Sequence, residues 1–84
     1  MNLEETMMTF EEVTEKIQKA IAVGLVSPGT RTKLMQVIRS RQRFVVGTSE
    51  RVSRLNDNIV IVSEKDFDAV FPQSADKCVF VSEE

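Results

Sequence analysis

Apolar residues along the 84-residue chain recur at two different periods. Phe10, Val13, Ile17, Ala20 and Ile21 return every three or four positions, the spacing that gathers side chains on one face of a helix. Between them, Glu12 with Lys16 and Glu15 with Lys19 stand four residues apart, oriented to support the helix on its wet side. Thr9-Phe10-Glu11-Glu12 has the form of a capping box, with Thr9 as N-cap, Glu12 reaching back to it and Met8 placed to staple against Val13. Gly24 offers a left-handed C-cap, with Leu25 positioned to pack back on the last turn. The pattern predicts a first helix opening at Phe10 and closing at Gly24.

A second helical period begins after a two-residue connector. Ser27-Pro28 combines an N-cap oxygen with a proline at the first helical position, where no hydrogen bond is given up. From Pro28 to about Ser40, Leu34, Met35, Val37 and Ile38 fall in one apolar arc, opposite Thr32, Lys33, Gln36, Arg39, Ser40 and Arg43. Arg31 and Arg41 land inside the apolar arc. That placement predicts each near a helix end, its stem on the core and its guanidinium in water.

The period then shortens to that of strands. Phe44-Val45-Val46 is β-prone and Gly47-Thr48-Ser49 ends it. Residues 49–55 fit a helical turn, through Val52 and Leu55, as well as one arm of a hairpin closed by Asn56-Asp57-Asn58. Ile59-Val60-Ile61-Val62 is a continuous apolar run, expected to be covered on both faces or to lie at the centre of a small sheet. Ser63 with Asp66 three residues on opens a short helix carrying Phe67, Val70 and Phe71, and Pro72 stops it. Lys77 to Val81 reads as a last strand, after a polar loop over residues 72–76. Residues 1–8 read as frayed apart from Met8.

These elements predict one small domain over residues 1–84. Its class is a two-layer α+β fold of order ααβ(β)αβ, with a three- or four-stranded sheet and helices on one face. The strand, helix and strand of residues 59–81 suggest a right-handed parallel crossover. A sheet this small has edges, so pairing with a second copy is an expectation too.

Composition narrows the function. The chain has no histidine and a single cysteine, Cys78, set in an apolar strand. Serine and cysteine nucleophiles therefore lack their usual base, zinc-finger spacing is absent, and an intrachain disulfide framework is excluded. The carboxylates of 11–15 face lysines, those of 64–68 decorate a helix start, and neither group has calcium-loop spacing. No phosphate-binding glycine loop occurs. The reading is non-enzymatic, with no catalytic, cofactor or metal residues. The acidic start lacks the charge of a secretory signal, and no apolar run has the length of a membrane span, so a cytoplasmic protein without membrane contact is expected.

Charge changes the picture most. Residues 29–55 hold seven basic side chains against Glu50 alone, while both flanks are acidic and the chain nets −2. Such asymmetry points to an anionic partner. The candidate partner-binding residues are Thr32, Lys33, Gln36, Arg39, Arg41 and Arg43 on and just beyond the second helix. The leading expectation is a small regulator or inhibitor binding an acidic protein surface, with electrostatic steering.

The run Val26-Ser27-Pro28-Gly29-Thr30 resembles the start of recognition helices in bacterial helix-turn-helix repressors, and Leu34, Met35 and Ile38 fall at that motif's apolar positions. The resemblance covers about twenty residues within 10–40. Arg31 stands where the motif buries an aliphatic residue, Leu25 where a turn glycine is usual, and Ile21 where the first helix carries alanine. It implies a nucleic-acid-binding regulator, with Lys33, Arg39, Arg41 and Arg43 on phosphates and Thr32 and Gln36 at base edges. In size and character the chain is also similar to small inhibitors encoded by phages and mobile elements.

Overall fold

Thr6–Thr9 form an edge strand, β1, that runs directly into helix α1, Phe10–Val23. The structure is a computed structural model and describes residues 6–47, 59–74 and 77–82. Helix α2 spans Pro28–Ser40, strands β2 and β3 are Phe44–Val46 and Ile59–Ile61, helix α3 is Glu64–Val70, and strand β4 is Cys78–Ser82. The four strands form one mixed sheet in the order β1-β4-β2-β3. Three helices pack against it, giving the small α+β domain that the periodicity predicts.

The start and the end of α1 follow their sequence signals. Thr9 Oγ1 accepts the Glu12 N–H at 3.1 Å while Glu12 Oε1 accepts the Thr9 N–H at 3.0 Å, completing the capping box. Gly24 closes α1 at φ +79°, with its N–H on Ile21 and the Leu25 N–H on Ala20, a Schellman arrangement. The Leu25 side chain lies beside Ala20 and Val23 of the last turn with half of its surface in water.

One core joins the layers. Val13 and Ile17 from α1, Leu34 and Val37 from α2, and Phe67, Val70 and Phe71 from and just after α3 meet Met8, Val45, Val60, Val79 and Val81 of the sheet. Each fully buried aliphatic or aromatic side chain contributes about 1.5–3 kcal/mol of transfer free energy. Because strand residues alternate, Met7, Phe44, Ile59, Ile61 and Phe80 point to the opposite face, where the Phe44 and Phe80 rings lie 5.0 Å apart. Gly47 lets Phe67 approach the end of β2: a Cβ there would stand 2.7 Å from the Phe67 side chain. Ser74, fully buried in the loop after α3, accepts the Cys78 N–H at 3.3 Å and donates to the Cys78 carbonyl at 3.2 Å, seating the first residue of β4.

Three expectations are corrected. The start is not frayed from Thr6 onward, since Thr6 to Thr9 pair in parallel with Val79 to Ser82. Their partner lies about seventy residues along the chain, beyond the reach of any local signal, and the element order over the described residues becomes βααββαβ. The apolar run at residues 59–62 is neither central nor covered on both faces: among the described strands β3 is a sheet edge, and Ile59 and Ile61 are half-buried. Nor do β3, α3 and β4 make a parallel crossover. Strand β4 inserts between β1 and β2, antiparallel to β2, while β2 and β3 are the parallel pair. The ambiguous segment 49–55 lies outside the described residues.

Candidate partner-binding face on α2

Helix α2 is held at its first turn by a carboxylate from another helix. Ser27 is the N-cap, its Oγ accepting the Thr30 N–H at 3.3 Å. The same hydroxyl donates to Asp66 Oδ2 at 3.0 Å, the Thr30 hydroxyl donates to that oxygen at 2.5 Å, and the Ser27 N–H points at it from 3.5 Å. Asp66 is itself tied locally, its N–H donating to the N-cap Ser63 Oγ at 3.2 Å. One buried oxygen therefore joins the first turns of α2 and α3. The Thr30 hydroxyl holds the Asp66 carboxyl below the usual carboxylate range, helped by Ser27 and Ser63 and opposed by burial. The positive end of α2 is thus already matched to a negative group from the fold itself.

That anchor sets which residues turn outward. Thr30, Leu34 and Val37 are buried along the inner face, while Arg31, Thr32, Lys33, Gln36 and Arg39 are exposed. Thr30 takes the buried slot at the first turn, so Arg31 stands free of the core rather than laying its stem along it. Arg31, Met35 and Arg39 follow one another at four-residue steps, as do Thr32, Gln36 and Ser40 beside them. These six residues line a groove of about 480 Å³. Half-buried Met35 gives the groove an apolar strip between two guanidiniums, and Thr32 is turned back, its hydroxyl donating to the Pro28 carbonyl at 3.3 Å. The described residues offer Arg31 and Arg39 no ion-pair partner.

The six residues singled out from the sequence do not form one patch. Thr32, Gln36 and Arg39 share the groove. Lys33 instead donates to the Ile61 carbonyl at 3.1 Å. Since the Val62 N–H bonds to Val46 across the sheet, Ile61 turns its own carbonyl outward, and Lys33 covers that open edge of β3. Arg41 is the C-cap of α2 in left-handed backbone (φ +49°), and its guanidinium stacks 4.3 Å over the Phe10 ring rather than standing in water alone. Arg43 lies beyond the helix, 6.0 Å from the Phe80 ring on the far face of the sheet.

Sequence reasoning misses three residues of this region. Arg31 and Met35 were placed on the apolar arc, yet both line the outer groove; the clue was Thr30, which fills the first-turn core position. Asp66 was legible only as part of the Ser63 cap and not as the anchor of α2. Among the described residues no cluster of carboxylate, thiol or imidazole groups could hold a metal ion, and no helix is long and apolar enough to cross a membrane. No known family, no curated protein and no solved structure matches the chain.

Proposed function

We propose that the protein is a small non-enzymatic regulator or inhibitor that binds an acidic protein surface through the outer face of α2. The observation that carries this reading is the row Arg31-Met35-Arg39. It presents two exposed guanidiniums either side of an apolar strip, with Gln36 beside them as a hydrogen-bonding group. Eight residues of helix place the two arginines about 12 Å apart along the axis. A complementary partner carries two carboxylates at that separation with an apolar side chain between them, as one face of an acidic amphipathic helix does. Charge supplies orientation and association rate, and burial around Met35 supplies residence time.

The runner-up, a nucleic-acid-binding regulator, places Thr32, Gln36 and Arg39 against a duplex. The Asp66 carboxylate weighs against it, because it occupies the helix N-terminus at which a phosphate would otherwise be favoured. Exposed Arg31 also departs from the helix-turn-helix pattern, which buries that position.

Fluorescence anisotropy decides between them. The probes are a labelled helical peptide with two glutamates eight residues apart around a leucine, the same peptide with the leucine replaced by serine, and a labelled DNA duplex. The proposal expects salt-sensitive binding of the first peptide, weaker binding of the second, and loss of both in the Arg31→Glu, Arg39→Glu double variant with its melting temperature retained. Duplex binding tighter than peptide binding, with a steep linear dependence on log salt, would replace the reading with the runner-up.

A further inference from the structure

The outward face of α1 carries a second pattern that the function proposed for α2 leaves unused. Glu12, Glu15, Lys16, Lys19 and Val23 form one exposed stripe, acidic in its first half, basic in its second and apolar at its end, where Val23 is 62% exposed. The four charged residues and Met8 line a shallow groove of about 310 Å³. The i,i+4 spacing predicts Glu12–Lys16 and Glu15–Lys19 ion pairs, but among the described residues the one ion pair is Lys77–Asp68, at 2.5 Å. Both lysines are therefore available to a partner.

The order of these residues is self-complementary. We infer that α1 is a homodimerisation face, on which a second copy of this chain lies antiparallel about a twofold axis passing between Glu15 and Lys16. Under that rotation Glu12 meets the second copy's Lys19 and Glu15 meets the second copy's Lys16, and each pair occurs twice. The same register carries exposed Val23 toward the start of the second copy's α1, into the groove that the largely buried Met8 of β1 helps to line. A twofold contact uses one patch on both molecules, which requires a patch whose charges are opposite across its centre. The stripe meets that requirement, whereas a helix face of one sign would repel its own copy. Exposed ion pairs are individually weak and screened by salt, so the dimer is a reversible, salt-sensitive one. The face is separate from the Arg31-Met35-Arg39 row, and the dimer would display two such rows.

Sedimentation velocity over a concentration series tests the register. The wild-type protein is expected to move from monomer to dimer as concentration rises, and back toward monomer as salt is added. Glu15→Lys and Lys16→Glu, the pair at the axis, leave Glu12 in its capping box; each alone places like charges opposite one another and should weaken self-association several-fold. Mixed in equal amounts, the two variants should recover a dimer at least as tight as wild type, because every central contact is again between opposite charges. Val23→Asp should weaken association and gain nothing from mixing with either. A monomeric wild type throughout the series would overturn the inference. So would dimers that survive both reversals, or variants that fail to pair when mixed, since association would then use another surface. Binding of peptide or DNA by α2 is read separately, so failure here leaves that proposal standing.

Discussion

The first turns of α1 and α2 look alike in sequence and are built differently. Each opens with a hydroxyl N-cap in extended backbone, Thr9 at φ −69° and Ser27 at φ −69°. At α1 the cap is closed by a residue three positions on, and every partner lies within one turn. At α2 the cap is completed by Asp66, thirty-six residues beyond Thr30 and on another helix. A local cap stabilises its own helix wherever the rest of the chain is. The Ser27–Thr30 bond of α2 is just as local, but the Asp66 part of its cap exists only when α3 is docked, so it ties the start of the basic helix to the tertiary fold. The surface proposed to bind a partner thus rests on the more cooperative of the two anchors.

Removing the shared carboxylate should have the largest effect. Asp66→Ala leaves the Ser27 and Thr30 hydroxyls without their common acceptor in a buried site, and loss of hydrogen bonds to a charged group costs roughly 2–3 kcal/mol. Chemical denaturation should show a lower midpoint with unchanged slope. The same variant should bind the acidic peptide more weakly, because the frame that orients Arg31 is loosened. If stability fell by only a few tenths of a kcal/mol, the distinction between the two helix starts would collapse.

Acid should reproduce part of that loss without a mutation. Folding lowers the Asp66 pKa, so the ionised carboxylate is favoured in the folded state. Its contribution is complete above the unfolded-state value, about 3.9, and is lost as pH falls through the lower folded-state value. Below about pH 4 the wild-type protein should therefore lose stability faster than Asp66→Asn, which has no proton to take up there. Thermal melts of the two proteins across that range measure the difference, and parallel curves would remove Asp66 from the acid response.

What could be read in advance follows the same division between local and distant. The capping box, the glycine stop at Gly24, the Ser-Pro start of α2 and the end of α3 ahead of Pro72 are encoded within a few residues, and all are visible as spacing. Strand pairing was not. Nothing near Met7 or Met8 announces that they pair with Phe80 and Val81, and the run at Ile59 reads the same for an edge as for a centre. The edge position is tolerable because α2 lies beside β3 and Lys33 covers the Ile61 carbonyl, both long-range facts. The candidate face was half legible for a related reason. Helical spacing put Thr32, Gln36 and Arg39 together, but that Thr30 rather than Arg31 fills the inner slot, leaving Arg31 and Met35 to line the groove, rests on its hydrogen bond to distant Asp66. Arg41 and Arg43 carry the right charge and are drawn aside to Phe10 and Phe80 by ring contacts that no spacing rule contains.

The comparison is sharpest in pairs of substitutions, where the expected effects are smaller. Thr9→Ala should cost about 1 kcal/mol, the ordinary value of an N-cap, and Thr30→Val a similar amount. Combined with Asp66→Ala, the two should part company. Thr30 and Asp66 share a hydrogen bond, so their double variant should be less damaged than the two single losses added together, with a coupling of roughly 1 kcal/mol. Thr9 and Asp66 share no partner in either cap, and their losses should add to within about 0.5 kcal/mol. Coupling at Thr9 equal to that at Thr30 would mean that α1 also depends on α3 for its start, and that both helices are anchored by the fold rather than one by its own sequence.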